Sequence, residues 1–158
     1  MRNNEVPSEK SSAPIPSLAL EDQLGFALYT ASRAITNRYR PLLAEFGLTY
    51  PQYLVMLTLW EHDALPIKEV GAALKLDYGT LTPLLKRLEA QGLIRRERRV
   101  DDERSVQVTL TQQGVELREQ VRETIPSAIG TAMGLIAREV AEARQMLSNL
   151  TANVCSPS

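Results

Sequence analysis

The sequence is poor in the residues that build most enzyme sites. It holds one cysteine, Cys155, and one histidine, His62. A lone cysteine excludes an intrachain disulfide, and the pair is too small for a Cys/His metal site within one subunit. A glycine-rich phosphate loop and a nucleophile constellation are also missing. No metal, cofactor or catalytic residue is expected, and the chain reads as not an enzyme. No apolar run reaches the roughly 18 residues of a membrane span. The N-terminus lacks the charged-then-apolar pattern of a secretory signal. No membrane partner is expected, and the location expected is the reducing cytoplasm. The sequon Asn149-Leu150-Thr151 is then a chance match. His62, near the end of a helix, reads as a surface residue.

Net charge is −1, so bulk charge announces no polyanionic partner. Its distribution is more informative. Residues 1–74 carry 6 basic and 8 acidic side chains, residues 75–100 carry 7 and 3, and residues 101–158 carry 5 and 8. One compact basic segment sits in an acidic protein, and a local patch can follow phosphates in an anionic molecule.

All but the first residue of that segment lies within Leu76–Leu110, which reads as a helix, a glycine turn, an arginine-rich strand, an acidic tip and a return strand. The flanking chain fits around it. Residues 1–17, with three prolines and four serines, read as a flexible tail. From about Leu18 a long helix carries the stripe Leu20, Leu24, Leu28, Ala31, Ile35, Tyr39, Leu42 and Phe46. Pro41 should kink or restart it, and Gly47 should stop it. Gly25 is out of place, since a mid-helix glycine costs about 1 kcal/mol relative to alanine.

Thr49 caps a second helix with Pro51 in its first turn and Tyr53, Leu54, Met56, Leu57 and Trp60 largely buried. Pro66 opens a short helix, Ile67 to Leu74. After the turn Lys75-Leu76-Asp77, a fourth helix runs from Tyr78 to about Gln91, capped by Asp77 and disturbed by Pro83. Leu81, Leu84, Leu85 and Leu88 point inward. Tyr78, Thr80, Thr82, Lys86 and Arg87 remain outside. Two helices joined by a short turn, the second polar at its start, form a helix-turn-helix.

Gly92 ends that helix, and Leu93–Val100 and Ser105–Leu110 form a β-hairpin wing. Thr111 caps a fifth helix, which Pro126 should divide from a sixth. The stripe Ile129, Met133, Ile136, Val140, Ala143, Leu147 and Leu150 exceeds what a small core needs and suggests a partner helix. The fold expected is mainly α with a small β-wing. Residues 49–110 form the winged helix-turn-helix, residues 18–48 and 111–152 are dimerisation helices, and residues 153–158 are a tail.

This arrangement suits double-stranded DNA. A helix fits the major groove, and side chains at its start reach base edges. Thr80 and Thr82 offer hydroxyls, Lys86 and Arg87 neutralise phosphates, and the N–H groups near Tyr78 and Gly79 can hold one. Arg104, beyond the wing tip, suits a narrow minor groove, with Asp102 bracing its guanidinium. Arg95, Arg96, Arg98 and Arg99 cannot all face DNA because a strand alternates its faces, so some should pair with acids such as Asp101 or Glu103.

The motifs LGFALY, RPLL, GLTYPQYLVMLTLWE, LDYGTLTPLLKRLE and DERSVQVTLTQQG together resemble the MarR family of bacterial transcriptional regulators over about Leu20 to Leu150. All but the last resemble its organic-hydroperoxide-sensing branch, the OhrR group. The resemblance implies a homodimeric winged-helix repressor on an inverted-repeat operator, with a role in oxidative stress and an operator usually near its own gene. It places Asp77, Tyr78, Thr80 and Thr82 at recognition-helix contacts and Asp102 and Arg104 at the wing motif. It also implies a sensor pocket of residue 25 with Tyr29, Tyr39 and Tyr50, whose phenols bond a peroxide-reactive cysteine partly across subunits. Gly25 stands where that cysteine belongs, either because the thiol was substituted away or because a natural paralogue lost it. Without a thiolate at residue 25 no sulfenic acid forms there. Tyr78 departs too, since the branch usually has a small serine. The effector is then an organic hydroperoxide or a small aromatic or lipid molecule. Two alternatives stand beside this reading: a MarR-type regulator answering a small ligand in the dimer-interface pocket, and a winged-helix module that binds protein.

Overall fold

The computed structural model describes residues 17–98 and 106–155. The chain divides into two units, Met1–Ala34 and Ile35–Ser158, each described by itself.

In the first unit a 3-10 turn, Leu20–Asp22, precedes helix α1 (Leu24–Ala44), of which residues 24–34 belong here. The Ser17 hydroxyl donates to Asp22 at 2.6 Å, which ties down the start. Leu20, Leu24 and Ala31 are exposed and Leu28 is half-buried, so this half of the apolar stripe is not buried; Phe26 beside it is exposed too.

The second unit holds the remainder of α1, then α2 (Tyr50–Glu61), β1 (Leu65–Pro66), α3 (Ile67–Leu74), α4 (Tyr78–Ala90), β2 (Ile94–Arg98), β3 (Val106–Leu110), α5 (Gln112–Met133) and α6 (Ala137–Cys155). The mainly α architecture with a small wing agrees with expectation. Pro41 does not restart the first helix, which continues through it to Ala44. Leu43 and Leu48, on either side of that helix end, are buried, and this packing holds the last turn in place.

Helix α2 begins where the Thr49-Tyr50-Pro51 signal puts it. The Gln52 Oε1 accepts from the Thr49 N–H at 2.8 Å and from its hydroxyl at 3.0 Å, so the buried amide is bonded to the cap. Tyr53, Val55, Met56, Leu59 and Trp60 are buried, but Leu57 is 41% exposed, against expectation. His62 is exposed at the end of this helix, as read.

The wing has a third strand that the sequence reading missed. The sheet order is β1-β3-β2, all antiparallel, with Leu65 opposite Val108 and Arg96 opposite Val108 on the other side. Asp63 fastens this strand: its Oδ1 accepts from the Leu110 N–H at 2.9 Å. Val108 is fully buried, and Leu81, Leu85 and Leu88 of α4 join it in one core with α2, α3 and α5.

Pro126 does not divide the last two helices. Helix α5 runs through it to Met133, because the loss of one N–H is outweighed by burial of Val121, Ile125 and Ile129 on the same face. The break falls at Gly134, whose φ of +63° suits glycine. The expected seven-residue stripe is therefore split between two helices. Gly114, near the start of α5, is there for a different reason. A Cβ on it would stand 2.1 Å from the Leu93 carbonyl oxygen. The buried Trp60 Nε1 donates to the Gly114 carbonyl at 2.8 Å, joining α2 to α5. Helix α6 buries none of its side chains and extends to Cys155, three residues into the expected tail.

Candidate nucleic-acid interface

Helix α4 is built to present its start. Asp77 caps it, accepting from the Thr80 N–H at 2.8 Å through Oδ1 and from the Thr80 hydroxyl at 2.8 Å through Oδ2. These bonds from Thr80 hold the Asp77 carboxyl below the usual carboxylate range, so it is an anion at neutral pH. Leu81, Leu85 and Leu88 anchor the opposite face in the core. Pro83 sits inside the helix without ending it. The Thr82 hydroxyl donates to the Tyr78 carbonyl at 2.7 Å, one turn back.

The hydroxyl protons of Thr80 and Thr82 are thus both engaged inside the protein. A phosphate oxygen can only accept, so it would have to displace one of these bonds. The exposed Asp77 carboxylate and the threonine lone pairs are acceptors as they stand. They match the exocyclic amino groups that cytosine and adenine show in the major groove. Tyr78 is 69% exposed in the first turn. Its ring borders a groove of about 410 Å³ shared with Ile67, Lys68, Leu76 and Val106. Lys86 and Arg87 are exposed further along the helix.

In β2, Arg95 and Arg98 are exposed, while Arg96 is half buried. Arg96 pairs with Glu89 of α4. The sequence reading did not find Glu89, and the only available signal was its charge seven residues before an arginine. Arg104, assigned to the minor groove, and Asp102, assigned to brace it, lie outside the described residues, as do Arg99, Asp101 and Glu103. Among the described residues no cluster of His, Cys, Asp or Glu could hold a metal ion, and no helix is long and apolar enough to cross a membrane.

The expected sensor residues fall in two groups. In the first unit, nothing stands within 4 Å of a Cβ built on Gly25. Tyr29 is exposed, accepts from Arg33 Nη1 at 3.2 Å, and has that guanidinium 5.4 Å from its ring centre. In the second unit, the Tyr39 and Tyr50 rings meet at a 52° tilt with centroids 4.8 Å apart. Tyr53, read only as core, completes the cluster at 5.8 Å from Tyr39 and 6.3 Å from Tyr50. Burial, with the neighbouring phenols, pushes Tyr53 up to about 12 and raises Tyr39. Both stay protonated donors at neutral pH. Tyr50 also borders a groove of about 600 Å³ with Thr36, Arg40, Leu48 and Pro51.

Comparison with known proteins places this geometry. A family model described as transcriptional regulator SarA/Rot matches residues 37–121. The organic hydroperoxide resistance transcriptional regulator of Bacillus subtilis (strain 168) is 49% identical over 133 residues, covering 84% of this chain and 88% of that protein. Reduced AbfR bound to DNA, from a protein of Staphylococcus epidermidis, is 38% identical with a TM-score of 0.74, covering 87% and 95% of the two chains. A mutant MarR of E. coli complexed with operator DNA is 25% identical with a TM-score of 0.74, covering 80% and 92%.

Proposed function

Since this chain belongs to the MarR family of winged-helix transcriptional regulators, on its organic-hydroperoxide-resistance branch, we propose that it is a dimeric repressor that binds an inverted-repeat operator. The observation that carries the reading is the start of α4. There an anchored helix presents Asp77, Tyr78 and Thr80 to solvent, with Thr82 half-buried beside them. Lys86, Arg87 and Arg104 supply phosphate and minor-groove contacts, and Asp102 braces Arg104. Dimerisation is supported by α6, which leaves Met146, Leu147 and Val154 exposed, by the exposed Ile136 just before it, and by Leu20, Leu24 and Phe26 in the first unit. A second copy of the chain covers these faces. That the relatives are regulators supports the reading that the protein catalyses no reaction. The operator role also places it in the cytoplasm.

The switch is altered. In this reading residue 25 is the sensor position of the branch, and glycine there leaves Tyr29, Tyr39 and Tyr50 without a thiolate to bond. Cys155 is no replacement, being exposed at the far end of α6 with no basic neighbour in sequence. A second reading, that a small organic molecule is the effector, is favoured by the groove beside Tyr50.

The test is binding to a duplex carrying the inverted repeat beside its own gene. A protein making 6–10 phosphate contacts should lose about 10³–10⁵ in affinity between roughly 50 and 200 mM salt. Binding that is neither salt-sensitive nor sequence-selective would end the DNA reading and leave the protein-interaction module.

A further inference from the structure

In the arginine-rich strand, the Arg96 side chain leaves the wing for α4. Glu89 lies in the last turn of α4, and Arg96 lies in the middle of β2. The Glu89 Oε1 accepts from the backbone N–H of Arg96 at 3.0 Å, while Oε2 accepts from Nε at 2.9 Å and from Nη2. One carboxylate thus bonds both the backbone and the side chain of the same residue. Because β2 is an outer strand of the sheet, the N–H that Glu89 takes would otherwise be free on the sheet edge.

The position of this pair is what gives it consequence. Helix α4 and strand β2 are joined by only Gln91, Gly92 and Leu93, with Gly92 at φ +74°. Leu88, Leu93 and Ile94 are buried on the two sides of that joint. Apolar burial fixes where the two elements meet but is non-directional. Two guanidinium N–H groups converging on Oε2, with Oε1 held by the backbone N–H, make a directional contact that fixes an angle. The Arg96 guanidinium also holds the Glu89 carboxyl below its ordinary range, so the pair stays ionised through neutral pH.

We propose that Glu89 and Arg96 are positioning residues that set the angle between α4 and the wing, so that helix and wing reach one duplex together. Neither residue touches DNA in this account. The inference rests on the DNA-binding reading above, and it assigns Arg96 to the geometry of the interface instead of to its phosphate contacts.

A double-mutant cycle tests it, using Glu89→Ala and Arg104→Ala alone and combined, on the inverted-repeat duplex at one fixed salt concentration. Arg104→Ala alone should weaken binding about 5- to 150-fold. In the Glu89→Ala background the same change should cost at least about threefold less, because the wing is no longer held at the groove. A pair that only stabilises the fold would give independent losses. Thermal unfolding of each variant monitors folding. Should Glu89→Ala fail to fold, Arg96→Met removes the guanidinium and leaves the backbone bond, and it should show the same reduced dependence on Arg104. Additive losses, or no loss from Arg104→Ala, overturn the inference while DNA binding stands. A wild-type chain that binds no duplex ends both readings.

Discussion

The segment Thr49–Leu110 and the last helix treat their apolar side chains in opposite ways. In the first, Val55, Met56, Leu59, Leu81, Leu85, Leu88 and Val108 are all essentially inaccessible. In α6, at much the same length as α1, nothing is buried, and Met146 and Val154 are 70% and 76% exposed. The difference is not one of composition, since both segments carry periodic apolar stripes. It lies in what each stripe faces. Helices α2, α3 and α4 have one another and a sheet, whereas nothing among the described residues fully buries the stripe of α6, where Val140, Ala143 and Leu150 are half-buried. A periodic stripe therefore reports that burial is needed without reporting who supplies it. Here the winged helix-turn-helix closes its core with α5 and the end of α1, and in the proposed dimer a second copy covers the last helix.

The largest expected effect lies on the self-sufficient side. Leu85→Ala empties a fully buried site and should cost about 2–5 kcal/mol in chemical unfolding. A loss below about 0.5 kcal/mol would mean that this core is not as closed as described. On the other side, Leu147→Glu should keep the helical circular dichroism signal and shift sedimentation from dimer to monomer. Leu147 is 44% exposed in the single chain, so the fold itself has little to lose. A dimer that survives the change would place the interface elsewhere.

Gly25→Cys sharpens the contrast at the first unit. The open space around residue 25 accepts the larger side chain without strain. Operator release should then become sensitive to organic peroxide. A variant that stays bound under oxidant would mean that the tyrosines no longer support the chemistry. The smallest effect concerns pH. Tyr53 is raised to about 12 from the ordinary 10.0. A phenol whose folded value exceeds its unfolded one contributes stability that is complete below the unfolded value and is lost as pH rises through the folded one. Stability should therefore decline from about pH 10 toward 12, and Tyr53→Phe should flatten that decline in pH-dependent thermal unfolding. An identical decline in the variant would assign the alkaline loss to other groups.

Much of this was legible in the residues. Thr49-Tyr50-Pro51, Pro66 and Asp77 mark helix starts through caps and proline placement, and α2, α3 and α4 begin where those signals put them. These are local signals, readable within one turn. What escaped depends on distant partners. Pro126 looked like a divider because the cost of a helix proline is local, while the burial of Val121, Ile125 and Ile129 that outweighs it is not. Strand β1, two residues long, carries no alternation to detect and exists through its pairing with Val108 and Gln107. Among the site residues, the Asp77 cap was visible in sequence. Its capture of the Thr80 hydroxyl was not, and neither was the Glu89–Arg96 pair, since both depend on how side chains are turned.

The most direct test of the account is the stoichiometry of the complex on an inverted-repeat duplex at moderate salt, measured by sedimentation. Two chains per duplex are expected, with binding that weakens sharply when one half-site is scrambled. One chain per duplex, held equally well by the scrambled site, would contradict it.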